Sequence, residues 1–158
     1  MSRQWGRGVR LAGGTFGAVI LAITWTFTRQ WLELPGVPYS VVKSVASDDV
    51  HIVTRGHDSN PSNDWEDAYA LLKVSPGGDP VGYIENALRS AGWKTNAGGA
   101  APLLLSGDKP ADKAKYGVTV QNYEDFECLD RPQVCDGFQK AAKGHEGSLF
   151  VATFMPYV

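Results

Sequence analysis

The sequence predicts an α+β domain behind a single N-terminal membrane-spanning helix, on three observations. Residues 11–28 carry no charge. Segments with an apolar period of two and segments with a period of 3.6 residues alternate along the rest of the chain. The length of 158 residues suits one globular domain with an appendage, and the composition of 20% charged and 43% hydrophobic residues excludes a disordered or multi-span protein.

The charge-free segment 11–28 would be about 27 Å long as a helix, enough to cross the hydrocarbon core of a bilayer. Three arginines precede it and Arg29 follows it, so the positive-inside rule predicts a cytoplasmic N-terminus at residues 1–10. The apolar run is longer than that of a cleaved signal peptide, and no A-x-A-like site follows it. These features favour an uncleaved signal anchor, with a cleaved signal peptide and an apolar helix of a soluble protein as the alternatives.

The remainder of the chain is therefore predicted to lie outside the cytoplasm, tethered to the cell membrane. Residues 29–49 are expected to form a juxtamembrane stalk, because Pro35 and Pro38 interrupt any helix there. Residues 50–158 are expected to form the extracytoplasmic domain. From Glu33 onward 11 basic residues face 17 acidic ones, a formal charge of −6, which argues against a nucleic-acid partner.

The first half of the domain contains two strand patterns and one helix pattern. A short strand is expected at residues 50–54, then a polar loop, then a strand at 67–75 whose apolar residues alternate. Asp79 can cap a helix that Gly92 ends in a Schellman motif. The capping residue and the terminating glycine thus predict the two ends of the same helix.

The second half contains a second strand at residues 93–96, a long loop at 96–115 and a third strand at 116–127. A second helix at 132–143 and a last strand at 148–158 follow. The loop is long for a compact domain, so it either has a function or is not a loop along its whole length. The last strand is apolar on both faces, which predicts a central place in the sheet. The order strand, helix, strand, strand, helix, strand predicts a ferredoxin-like split βαβ arrangement, an antiparallel sheet with two helices on one face.

The chain has two cysteines, Cys128 and Cys135, with six residues between them. This spacing does not fit a C-x-x-C redox motif, and a zinc site would need two further ligands that the three histidines do not supply in paired spacing. Outside the cytoplasm a structural disulfide is favoured, and it would join the end of the third strand to the start of the second helix. Redox-active thiols and a metal site are the alternatives.

Oxygen-bearing side chains cluster between the first two strands, and Asp58, Asn60 and Asp64 are weak candidate metal ligands. The cluster does not fit a calcium-binding EF-hand loop, because Asn63 stands where glycine is required and Tyr69 where the bidentate glutamate is required. A solvated turn explains the same residues. No metal and no cofactor are therefore predicted.

The sequence contains no nucleophile elbow, phosphate-binding loop, dinucleotide fingerprint or zinc-protease motif. The predicted function is a membrane-anchored extracytoplasmic interaction or ligand-binding module without catalytic residues. The alternatives are a small envelope enzyme or metal-binding protein that uses the 57–67 loop, and a thiol-redox factor that uses the two cysteines. The predicted partners are the lipid bilayer and another envelope protein. Phe150 and Phe154 are the candidate partner surface, unless residues before Asp67 cover them.

Overall fold

The computed structural model describes residues 34–59, 64–110, 112–128, 131–145 and 147–157. From Pro35 onward these residues belong to one compact unit. The predicted cytoplasmic N-terminus and membrane anchor, residues 1–28, lie outside the described residues. Within the described ranges, no helix has both the length and the apolar character needed to cross a bilayer.

The described residues form a six-stranded antiparallel sheet with the strand order β1-β2-β6-β5-β4-β3. The strands are β1 Val50–Ser59, β2 Glu66–Val74, β3 Lys94–Ala97, β4 Leu103–Lys109, β5 Tyr116–Asn122 and β6 Leu149–Pro156. The helices are α1 Tyr39–Lys43, α2 Pro80–Ser90 and α3 Pro132–Ala142, with a 3-10 turn at Tyr123–Asp125. The α+β class is confirmed, and so is the central position of the last strand.

Both ends of helix α2 have the capping hydrogen bonds that the sequence predicts. The Asp79 side chain accepts a hydrogen bond from the Val81 N–H at 3.1 Å, which satisfies one of the free donors of the first turn. At the other end Gly92 has a φ of +85°, and the Trp93 N–H donates to the Leu88 carbonyl at 3.1 Å. This is the predicted Schellman ending.

The two long helices cover opposite faces of the sheet, so the prediction of two helices on one face is wrong. One core cluster contains Ile84 and Leu88 of α2, and the other contains Val134 and Phe138 of α3. Strand β2 supplies its even-numbered residues to the first cluster and its odd-numbered residues to the second. A strand that is apolar on both sides needs cover on both sides, which one layer of helices cannot give. We name the two sides the α2 face and the α3 face.

Phe150 and Phe154 lie on the α2 face with 4% and 0% of their surfaces exposed, so they do not form a surface for a partner. The Trp93 ring packs on the Phe154 ring with 5.8 Å between centroids. The same core cluster contains Ile84 and Leu88 of α2 and three residues that precede Asp67: Val42, Val45 and Val50. The candidate partner surface on the last strand is therefore corrected to core.

The segment from Pro35 to residue 49 is part of the folded domain rather than a stalk. The Glu66 N–H donates to the Pro35 carbonyl at 3.0 Å, and helix α1 begins directly after Pro38. A proline next to the helix start removes no intrahelical hydrogen bond, which is why these prolines did not prevent a helix. The buried side chains of Val42 and Val45 then attach the segment to the core.

The predicted long loop at 96–115 contains strand β4, and the predicted polar loop after residue 54 contains the second half of β1. The apolar residues at 103–105 are the beginning of β4, where Leu105 is fully buried. Both segments lack a clear alternation of apolar and polar residues. Pairing with β5 and β2, which carry the stronger patterns, makes them strands.

Candidate functional site

Helix α3 covers only part of the α3 face. It lies against β1, and its buried residues pack with Leu71 of β2 and Val151 of β6. Gly56 permits the close approach, since a Cβ there would lie 3.1 Å from Val134 Cγ2. No residue of β3, β4 or β5 belongs to the cluster that packs with α3. The part of this face formed by those three strands and Thr153 of β6 is the open half-face.

A row of short polar side chains crosses the open half-face. Strand register places Thr153 of β6 opposite Thr119 of β5, Thr119 opposite Ser106 of β4, and Ser106 opposite Asn96 of β3. Partners in register point to the same side of a sheet, and neighbouring strands lie about 4.7–4.9 Å apart. The first three residues are half-buried and Asn96 is exposed, so the row carries uncharged hydrogen-bonding groups at regular intervals.

A cleft of about 350 Å³ lies at the β6 end of this row, between the sheet and the start of α3. Its lining combines hydroxyl, amide, carboxylate, guanidinium and ring groups: Pro102, Thr119, Gln121, Asp125, Phe126, Glu127, Arg131 and Thr153. Gln121 Nε2 donates to the Asp125 carbonyl at 3.1 Å, and Asn122 Nδ2 donates to Asp125 Oδ2 at 2.9 Å. Asp125 therefore holds the 3-10 turn that forms one wall.

Arg131 is held at the cleft by the predicted disulfide, which is confirmed between Cys128 and Cys135. The Arg131 N–H donates to the Cys128 carbonyl, and the Cys135 N–H donates to the Arg131 carbonyl, each at 3.1 Å. The guanidinium carbon lies 5.4 Å from the Tyr69 ring centroid and 6.0 Å from that of Phe126, within the range of a cation–π contact. The guanidinium group thus lies near two aromatic rings.

Asp67 lies on β2, two residues before Tyr69. It is 8% exposed and is the one buried charged residue in the described ranges. Burial raises the pKa of its carboxyl group, and the hydrogen bond from Trp65 Nε1 at 3.1 Å and the charge of Arg131 partly oppose that increase. Burial also raises the pKa of Tyr69 to about 12, so its hydroxyl group is neutral at physiological pH. Asp58 stands directly opposite Asp67 on β1.

The weak candidate metal ligands do not come together in the described part of the chain. Asp58 belongs to strand β1, Asp64 is exposed in the hairpin, and Asn60 lies outside the described residues. Within those residues, no group of three or more His, Cys, Asp or Glu side chains could hold a metal ion. His57 and Glu66 face each other across the hairpin at 3.9 Å, both well exposed.

Tyr157 provides an aromatic ring on the open half-face. It lies over Gly117 of β5, where a Cβ would be only 2.5 Å from the tyrosine oxygen. The hydroxyl donates to Asp108 Oδ1 at 2.8 Å, while 51% of the residue remains exposed. Burial of the hydroxyl group, together with Asp108, raises the pKa of Tyr157, which keeps the hydroxyl a neutral donor.

Sequence reasoning missed the row, the cleft and Tyr157. One signal was present in "YGVTVQN", where Thr119 and Gln121 alternate with the buried Val118 and Val120. That alternation shows that one side of β5 is polar, but not which residues of other strands stand beside it.

Other clefts lie away from this arrangement. One of about 490 Å³ separates the loop after α1 from α2, and one of about 550 Å³ lies beside His145. A third, of about 370 Å³, is bordered by Arg55, whose guanidinium lies 3.7 Å from the Tyr39 ring centroid. None of the three is lined by the polar row or by Arg131. In comparisons with protein-family models, curated proteins and solved structures, no match to the chain was found.

Proposed function

We propose that the chain is a single-pass membrane-anchored module that binds a ligand or partner outside the cytoplasm, at the open half-face. The observation that carries the binding role is the polar row, which no described helix covers, together with the cleft that opens beside it. Hydroxyl, amide, carboxylate and guanidinium groups converge on the cleft, and convergent polar groups are what orient a ligand in a binding site. The anchor rests on the charge-free segment 11–28 and its flanking arginines, and the disulfide supports an oxidising compartment.

Binding rather than catalysis is proposed because the groups in the cleft serve shape and hydrogen bonding. The side chain of Asp125 accepts from Asn122 and so supports the wall of the cleft. Arg131 lies near two aromatic rings, and its guanidinium group can donate paired hydrogen bonds to a ligand group. The neutral row then extends the contact surface along the sheet.

Site-specific photocrosslinking in intact cells tests the binding role. A photoreactive amino acid at Thr119 is expected to give a defined adduct, because this residue belongs to both the row and the cleft. The matched control is the same substitution at Gln139, on the exposed side of α3. Absence of an adduct at Thr119, or equal adducts at both positions, would contradict the proposal.

Protease accessibility tests the location independently. Protease added to spheroplasts is expected to digest the domain from Pro35 onward and to spare residues 1–10. Complete protection of the domain would exclude an extracytoplasmic location. A soluble form that begins near residue 33 would instead identify a cleaved signal peptide.

A further inference from the structure

The Tyr157 ring is fixed to the open half-face at two points. Its main-chain N–H donates to the Lys115 carbonyl at 2.8 Å, and its hydroxyl donates to Asp108 at 2.8 Å. Gly117 lies beneath it and has no side chain that would push the ring away. The ring is therefore held in place while about half of the residue remains exposed to solvent.

The ring stands beside the polar row. Gly117 and Thr119 are successive positions on one side of β5, so the two sites are about 7 Å apart along the strand. The row itself spans about 14 Å from Thr153 to Asn96, which is three strand intervals. The cleft that contains Phe126 lies at the β6 end. Together they form a continuous strip in which hydroxyl and amide groups cross the strands, charged side chains stand at the cleft, and the aromatic ring lies beside the row against Asp108.

The chemistry of this strip fits an uncharged sugar chain. Hydroxyl and amide groups can both donate and accept, as sugar hydroxyls require, and the C–H face of a pyranose ring packs on an aromatic ring. An extended β-linked chain repeats at nearly the interval of neighbouring strands, so successive sugars can meet successive members of the row. At the cleft, Gln121, Glu127 and Arg131 offer planar groups suited to paired hydrogen bonds.

Other classes of partner fit less well. A protein interface is built around several buried apolar or aromatic anchors, whereas Tyr157 is the one exposed large hydrophobic residue on this side among those described. A nucleic acid requires positive charge, and the chain from Glu33 onward is acidic.

We infer that the open half-face binds an extended, uncharged β-linked oligosaccharide that crosses the strands from the Arg131 cleft towards Asn96, with one sugar ring on Tyr157. This inference rests on the proposed binding function and specifies its ligand class. Thr153, Thr119 and Ser106 hydrogen-bond to the sugar hydroxyls along the chain.

Calorimetric titration of the full-length chain in detergent tests the inference, with cellohexaose and chitohexaose as probes. At least one probe is expected to bind, and Tyr157→Ala is expected to reduce its association constant about tenfold or more, the scale of one lost stacking contact. Thr119→Val, which removes one hydroxyl at constant shape, should reduce it by a smaller factor. Tyr39→Ala is the matched control, because Tyr39 is 52% exposed but lies in α1. Thermal melting of each variant verifies folding.

Two results would overturn the inference. One is the absence of binding of either probe by the folded chain, and the other is an equal effect of Tyr157→Ala and Tyr39→Ala. If neither sugar binds but Thr119 still gives a specific adduct in cells, the ligand class is wrong and the proposed binding function stands. If Thr119 gives no adduct as well, both proposals fail.

Discussion

The two halves of the α3 face differ in both cover and composition. Beneath α3 the sheet presents Leu71 and Val151, which are fully buried with Phe138 of the helix. On the open half-face the same sheet presents Thr119, Ser106 and Asn96, at the positions that would otherwise meet a helix. Apolar surface and helix coverage thus coincide, because exposed apolar area is costly and polar area needs no cover. The difference separates a part of the sheet that packs against a helix from a part that no described helix covers.

The largest expected effect lies in the covered half. Phe138→Ala removes a ring that is 1% exposed and should lower the free energy of unfolding by about 3–5 kcal/mol. Thr119→Val in the open half should change it by less than about 0.5 kcal/mol, since the side-chain volume is kept and no apolar contact is lost. Denaturant melts of the two variants measure this contrast. Similar losses for both would mean that the halves do not differ in their contribution to stability.

A smaller effect is expected from the disulfide, which lies at the boundary between the halves. Replacing Cys128 with Ser and the buried Cys135 with Ala should lower stability by roughly 2–3 kcal/mol, the chain-entropy value for so short a loop. The circular dichroism spectrum should remain that of the folded domain, because the core clusters are unchanged. An unaltered melting temperature would show that the bond does not stabilise the domain. Alkylation of two thiols in the native protein would show that the bond is absent.

The smallest effect concerns Asp67, behind the cleft. Burial raises the pKa of this carboxyl group above its ordinary value of 3.8, so folding favours the protonated form. The contribution of the protonated carboxyl group to the free energy of unfolding is therefore complete below the ordinary pKa. It is lost as the pH rises through the raised pKa. Asp67→Asn keeps an acceptor for the Trp65 N–H but cannot ionise. It should be more stable than the parent at neutral pH and equal to it in acid.

Denaturant melts between acid and neutral pH measure this difference. Asp64→Asn is the control, because that carboxylate is exposed in the same hairpin and its replacement should be close to neutral. Lower stability of Asp67→Asn at neutral pH would mean that the attraction to Arg131 outweighs the cost of burial.

Where the determining residues lie close together in the sequence, both the element and its two ends were predicted. Helix α2 is the example, since its cap at Asp79 and its left-handed Gly92 act on backbone groups within a few residues. The disulfide was predicted because the domain was expected outside the cytoplasm and because the cysteine spacing fits neither a C-x-x-C redox motif nor a zinc site. Strand β4 was missed because its pattern is weak, and pairing with β5 determines its conformation.

The polar row could not be predicted in the same way. Thr153, Thr119, Ser106 and Asn96 come from four strands, and nothing in the local sequence aligns them. Their alignment depends on register, and a shift by one residue would turn each of them to the opposite face. The assignment of Phe150 and Phe154 to a surface failed for a similar reason, because it assumed that both helices lie on one side.

The sequence by itself determined the α+β class, the ends of α2, the pairing of Cys128 with Cys135 and the central position of β6. The class follows from the apolar periodicity of successive segments, and the position of β6 follows from its apolar content. The ends of α2 follow from residues a few positions apart, and the cysteine pairing follows from the spacing together with the expected location outside the cytoplasm. Only the tertiary structure decided which face each helix covers and which polar residues stand side by side. Those outcomes require β2 and β6 to bury both of their sides at once, with α2 on one side and α3 on the other. Since α3 lies against β1, no helix covers the rest of that face among the described residues, and Tyr157 comes to lie there over Gly117.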